Sequence, residues 1–157
     1  MIELRPNATR DTAAHETLAR RGCPVSDLKD KLRHVGLRPT RQRISLGWIL
    51  VAKGDRHITA EMLYEEAMRA RVPVSLATVY NTLHQFTDVG LLRQLAVDGS
   101  KSYFDTNTTD HHHFFLEEDE TLMDVPAGIA VGDLPAAPDG MEIARVDVIV
   151  RLRKTKR

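Results

Sequence analysis

Cysteine is almost missing from this chain of 157 residues, and long apolar runs are missing altogether. With Cys23 alone, no internal disulfide can form and no zinc site of four thiolates can be built within one chain. The longest apolar runs, such as Trp48 to Ala52, are a handful of residues, far short of the roughly 20 that span a bilayer. The first residues also lack a basic patch followed by an apolar core and a cleavage site, so the expectation is a soluble cytoplasmic protein with no membrane partner. The length allows one ordinary domain or two small ones and leaves no room for a catalytic barrel or a full Rossmann fold. A net charge is missing too: 22 Lys and Arg balance 22 Asp and Glu. What is present, 42% hydrophobic and 28% charged residues, is globular composition. The zero net charge hides an asymmetry, because residues 1–93 carry 15 basic against 10 acidic side chains, and residues 94–157 carry 7 against 12. A basic half beside an acidic one fits a nucleic-acid reader joined to a regulatory or assembly domain, although two solvated faces would give the same numbers.

Residues 1–25 show little apolar periodicity and contain Arg5-Pro6-Asn7 and Gly22-Cys23-Pro24, which predicts a mobile arm. Ser26 is placed to cap a helix over Asp27 to Val35, with Gly36 closing it. Thr40 caps the next, with Ile44, Trp48 and Val51 as its apolar stripe before Gly54. Thr59 opens a third with Leu63, Ala67 and Ala70, and Ser75 a fourth with Leu76, Val79, Leu83 and Phe86, stopped by Gly90. The period then becomes alternating. Leu91–Val97 and Ser100–Asp105 flank Asp98-Gly99, a strong hairpin signal. Three helices ending in a short recognition-type helix and followed by a hairpin describe a winged helix-turn-helix. His112–Leu116 and Leu122–Val125 read as strands, and Glu142–Leu152 reads as a longer one with Ala144, Val146, Val148, Val150 and Leu152 on one face. So small a sheet cannot cover that face alone, which predicts a homodimer. The fold class expected is therefore α+β: an N-terminal winged helix-turn-helix over residues 26–105, then a small α/β dimerisation and regulatory domain over residues 106–157.

Three groups of residues could carry chemistry. The fourth helix presents Ala77, Thr78, Asn81 and Gln85 opposite its core stripe, with Tyr80 at the border. Amides can pair with adenine, small residues accept the thymine methyl, and Tyr adds a flat apolar contact. Arg38, Arg41 and Arg43 at the entrance to the second helix, and Lys101 on the wing, suit phosphates or a narrow minor groove. An ordinary polar helix face is the competing account. The second group is His111-His112-His113: on a strand, His111 and His113 point to one side and His112 to the other. Imidazoles with carboxylates bind zinc- or iron-class ions, and His57, Asp105 and Asp124 are available elsewhere. A solvated loop is the alternative. The third is Cys23 before Pro24, where a thiolate could serve haem iron or arise by chance. Nothing around His15, His34 or His84 suggests a ligand.

Gly36-Leu-Arg-Pro-Thr-Arg-Gln-Arg43, His57-Ile-Thr-Ala-Glu-Met-Leu-Tyr64, Ser75-Leu-Ala-Thr-Val-Tyr-Asn-Thr-Leu83 and Lys101-Ser-Tyr-Phe-Asp105 together resemble the ferric uptake regulator superfamily. The resemblance covers roughly residues 26–152. Ala-Thr-Val-Tyr followed by Asn, the triple histidine and the Cys-Pro arm are most similar to its iron response regulators of rhizobial type. It implies a homodimeric transcription regulator with a metal site at the hinge, where His57, Asp105, His112 and Asp124 match four of five ligand positions and Phe114 stands at the fifth. Two departures follow: no Cys pairs for structural zinc, and no late His to partner His111 and His113.

The resemblance implies haem at Cys23 and at His111, His112 and His113. The expected function is a regulator of iron and haem genes that binds AT-rich palindromic double-stranded DNA, its DNA binding or stability switched off by haem. The alternative keeps the fold and makes Fe2+ or Mn2+, or Zn2+ at the same ligands, the direct signal; a haem-binding protein without DNA function is a further one. An enzyme is not expected, since Glu117–Glu120 reads as a solvated acidic edge and no acid/base pair accompanies the histidines.

Overall fold

The computed structural model describes residues 25–97 and 99–155. Cys23 and nearly all of the expected N-terminal arm lie outside them. The elements run α1 (Val25–His34), α2 (Arg41–Val51), β1 (His57–Ile58), α3 (Ala60–Arg69), α4 (Leu76–Asp88), β2 (Arg93–Ala96), β3 (Ser102–Asp105), β4 (His113–Leu116), β5 (Thr121–Asp124) and β6 (Ile149–Leu152), an α+β arrangement. No described helix is long and apolar enough to cross a membrane. Two compact units divide the chain. One takes the described residues to Leu95 together with Ser102–Thr109; the other takes Ala96–Lys101 and the residues from Asp110 onward.

In the first unit the starts of α2, α3 and α4 follow their hydroxyls, whereas Ser26 lies inside α1 with its hydroxyl on the Asp27 carboxylate instead of capping it. Thr40, Thr59 and Ser75 accept from the backbone N–H of Arg43, Met62 and Thr78 at 3.4, 3.3 and 3.1 Å, each such cap contributing about 1 kcal/mol. Helix α4 stops where Gly90 turns left-handed at φ +77°, which lets the Leu91 N–H reach the Phe86 carbonyl at 2.8 Å. Leu28 and Leu32 of α1, Leu46 and Leu50 of α2, Leu63 of α3, and Val79, Leu83 and Phe86 of α4 are wholly buried, joined by Ile58 and Phe104 from the strands. The buried stripe of α2 corrects the expected one: Leu46, Gly47, Leu50 and Val51 face inward, while Trp48 is 39% exposed. Of the expected stripe, Val51 is buried and Ile44 packs half-buried against the core, so Trp48 alone is misplaced. A Cβ on Gly47 would sit 3.1 Å from Leu28 Cδ2, so the glycine sets how closely α1 approaches. Leu76, expected in the α4 core, is 37% exposed in the first turn, and Thr82 takes an inward position instead. Ala70 likewise caps α3 rather than lining it. The strand order β1-β3-β2 places the wing hairpin directly after α4, with His57 opposite Asp105 and Ile58 opposite Phe104.

The second unit is a sheet of order β5-β4-β6. Strand β4 runs antiparallel to β5, His113 facing Asp124, and parallel to β6, His113 beside Ile149. The long strand expected over Glu142–Leu152 is ladder-paired only at Ile149–Leu152, with the Val148 carbonyl accepting the His113 N–H of β4 at 3.1 Å; residues 142–147 have the right alternation but no strand assignment. The unit has no helix among its described residues. Basic side chains at the end of β6 meet the acidic β4–β5 turn, Arg153 on Glu117 and Lys154 on Asp119.

One ion cluster in the first unit makes its stability pH-dependent. The Arg56 guanidinium grips both oxygens of Glu66 at 2.7 and 2.9 Å, and Lys53 adds a contact at 3.0 Å. Hydrogen bonding from Arg56 holds the Glu66 carboxyl down from 4.5 to about 2 against the opposing effect of burial. A depressed folded-state pKa adds stability above the unfolded value and loses it as pH falls through the folded one. Glu66→Gln should therefore cost about 2 kcal/mol at pH 7 in urea unfolding, a deficit that shrinks as pH falls from 4.5 toward 2. A deficit unchanged with pH would show that packing, not the ion pair, was lost.

Candidate metal centre and nucleic-acid face

In the first unit the short β1–β3 ladder carries a histidine and a carboxylate on paired positions. His57 Nε2 lies 3.3 Å from Asp105 Oδ2, and the Asp105 side chain has no exposed surface. Asn107 donates its backbone N–H to Asp105 Oδ1 at 2.8 Å, fixing the carboxylate from the chain that leaves the strand. The ladder is extended by the Thr106 N–H on the Arg56 carbonyl and by the Arg56 N–H on Thr106 Oγ1.

In the second unit the β4–β5 register does the equivalent. His113 is fully buried opposite Asp124, with Nε2 at 3.9 Å from Asp124 Oδ1. His111, two residues earlier, brings its Nε2 to 3.2 Å from the same oxygen, and the two imidazole centroids are 4.5 Å apart. Two imidazoles converging on one carboxylate oxygen form a borderline-soft, partly charged donor set suited to Zn2+, Fe2+ or Mn2+. His112, matched by resemblance as the metal ligand, stands outside this group; its Nδ1 is buried without a hydrogen-bond partner. Phe114, placed at the fifth ligand position, faces Met123 across the ladder. The alternation of strand side chains already grouped His111 with His113; the missing signal was the register with β5, which only the folded sheet supplies. A histidine and a carboxylate therefore meet in each unit, His57 with Asp105 in the first and His111 and His113 with Asp124 in the second.

The α4 face expected to meet DNA is arranged as follows. Ala77 and Asn81 are exposed. The Thr78 hydroxyl is paired with the Ser75 hydroxyl at 2.9 Å. The Tyr80 hydroxyl donates to Glu61 Oε1 of α3 at 2.5 Å, and that bond raises the Tyr80 pKa above its ordinary value. The Tyr80 ring stacks on His84, whose edge meets Phe104. Arg38 and Arg41 are exposed. Arg43 is part-buried on Gln85, and Lys101 pairs with Glu120. Glu61 and Gln85 as supports of this face were not legible in the sequence, since neither partner is near in the chain.

The ferric uptake regulator family profile matches residues 34–125. The ferric uptake regulation protein of Vibrio cholerae is 35% identical over 88 residues, which are 56% of this chain and 59% of that protein. The peroxide-responsive repressor PerR of Staphylococcus aureus is 34% identical over 93 residues, 59% of this chain and 62% of that protein. The matches therefore span about three-fifths of these curated relatives. The structure of the ferric uptake regulator from Pseudomonas aeruginosa with manganese aligns with a TM-score of 0.63 at 25% identity, covering 82% of this chain and 98% of that one. The Vibrio cholerae ferric uptake regulator aligns at 0.64 and 21% identity, covering 80% and 98%, a likeness of fold.

The histidine assignment has a direct check. Isothermal titration with Mn(II) should show His111→Ala and Asp124→Asn weakening binding at least tenfold while His112→Ala leaves it unchanged. Equal loss with His112→Ala would return the ligand role to that residue. Asp124→Asn preserves side-chain volume, so loss in that variant is not a folding defect.

Proposed function

The chain belongs to the ferric uptake regulator family, and from that premise we propose that it is a homodimeric, metal-responsive transcription regulator that binds double-stranded DNA through α4. The observation that carries the DNA reading is the unspent face of α4: Ala77 and Asn81 project from a capped helix followed at once by a hairpin, with Arg38 and Arg41 exposed. An Asn amide offers adenine both a donor and an acceptor, and the two arginines suit phosphates. Two such helices in a symmetric pair read an inverted repeat.

The signal is a divalent ion whose ligands are drawn from His57, Asp105, His111, His113 and Asp124, with His112 as the further candidate named by resemblance. The fit rests on donor chemistry: imidazoles and carboxylates, four of the five side chains (His57, Asp105, His111 and His113) having little or no exposure. A bound divalent ion would supply positive charge that offsets the cost of holding the Asp105 carboxylate away from water. A second copy is the partner because Val131, Leu134, Met141 and Ile143, all apolar, are more than 40% exposed in an extended stretch.

A second reading makes haem the signal, supported by His112: its imidazole is left out of the Asp124 group and keeps an orphaned buried nitrogen. Together with Cys23 it would provide axial donors to ferric haem iron, a thiolate and an imidazole. Haem titration followed by absorption then gives saturable spectra altered by Cys23→Ala and His112→Ala, with DNA binding lost.

Selection from duplexes with a randomised core, in Mn(II) and again in EDTA, tests the main reading. An AT-rich inverted repeat should be enriched in Mn(II) only, and Asn81→Ala should relax one position of each half-site, worth about 1–3 kcal/mol of discrimination. Absence of any enriched sequence sinks the DNA reading; enrichment indifferent to Mn(II) but abolished by haem favours the second signal.

A further inference from the structure

Arg43 is the third residue of α2, and its guanidinium is aimed across the unit rather than outward. Its Nε and Nη2 both donate to Gln85 Oε1 on α4, at 3.1 and 2.9 Å, and its Nη1 donates to the Arg38 carbonyl at 2.8 Å. One side chain thus joins the loop before α2, α2 itself and the DNA-facing helix. An amide oxygen has two lone pairs, and Arg43 occupies both. A glutamine that reads adenine must accept from N6–H through that oxygen while donating to N7. Gln85 cannot do this while it holds Arg43. Asn81 lies one turn earlier on the same helix and is exposed, its amide uncommitted.

We infer that Arg43 and Gln85 form a strut that sets the pose of α4, making Arg43 a positioning residue and leaving base reading to Asn81. The inference rests on the DNA-binding reading above. It separates two roles the sequence could not: Arg38 and Arg41 are placed for phosphates, and Arg43 acts through Gln85. A planar fork is needed for this work, because a lysine ammonium cannot send paired donors to one oxygen and a third to a carbonyl in fixed directions.

The test uses the full chain in Mn(II) and the duplex that the wild type itself enriches from the randomised pool, with affinity measured over a salt series. Arg43→Lys keeps the charge and should weaken binding at least fivefold with an unchanged salt slope. Adding Gln85→Glu to it should restore much of the loss by an ion pair, and Gln85→Met should weaken binding without altering base preference. Wild-type affinity in Arg43→Lys overturns the strut in favour of a plain phosphate contact, as does a salt slope lowered by about one in Arg43→Ala. A changed base preference in Gln85→Met overturns it in favour of direct reading. Should the wild type enrich no duplex, the DNA reading fails on its own, and the strut is judged by urea unfolding of Arg43→Ala, Gln85→Ala and the double variant. Non-additive losses uphold the pair, and additive losses overturn it.

Discussion

A carboxylate with no exposed surface is the costliest ordinary group a small unit can hold, and Asp105 is one. Its placement depends on a two-residue strand. The His57–Ile58 ladder with Phe104–Asp105 is barely long enough to count as a sheet, yet it fixes an imidazole opposite the carboxylate and brings the Asn107 N–H onto its other oxygen. Ile58 and Phe104, the second pair of that ladder, are core residues. The same register that seats two apolar side chains in the helical core therefore delivers His57 and Asp105 to one place. Core packing and ligand geometry are a single constraint here, so a slip of one residue would lose both.

The second unit repeats the principle with less core to rely on. Phe115 and Leu122 pair across β4 and β5 and are buried, and the same ladder sets His113 against Asp124. The parallel partner β6 is held by its backbone ladder with β4, and ion pairs join Glu117 and Asp119 to the basic residues that follow it. Exposed pairs of that kind contribute little and weaken with salt, so they steer β6 more than they stabilise it. Val131, Leu134, Met141 and Ile143 leave further apolar surface exposed between residues 131 and 143.

What could be read from the sequence divides by range. Helix caps are local: a hydroxyl three residues before an orphan N–H declares itself, and Thr40, Thr59 and Ser75 all act as their positions require. The hairpin after α4 is also local, announced by the change from helical to alternating period. The face of α2 was legible only in part: Ile44 and Val51 do turn to the core, but Trp48 between them is exposed, and Leu46 and Leu50 hold the fully buried positions. The extent of β6 was not legible, since alternation at Ala144, Val146 and Val148 says that a segment can pair but not that a neighbour exists. In the candidate site, His57, Asp105 and Asp124 were named from motif order. Which histidines of the triplet join Asp124 depends on a cross-strand register that no local pattern contains.

Arg43 and Lys101 show how burial decides between roles that composition leaves equal. Both are cations expected at phosphates, and both are found on a partner within the chain. Lys101 meets Glu120 with about half of each side chain exposed. Water already satisfies much of what that pair offers, so its contribution is at most about 1 kcal/mol, and a phosphate that also releases condensed counterions competes with it readily. The Lys101 contact is therefore compatible with a wing lysine that turns to DNA. Arg43 is different in kind. Its three hydrogen bonds are directional, and leaving would strand the part-buried Gln85 amide oxygen, while the exposed Arg38 carbonyl would keep the Thr40 N–H at 2.9 Å. A phosphate could accept from the guanidinium in their place but could not give the Gln85 oxygen a donor. The guanidinium is held where it is by what its departure would leave behind, and the helix that carries Asn81 inherits a fixed pose from it.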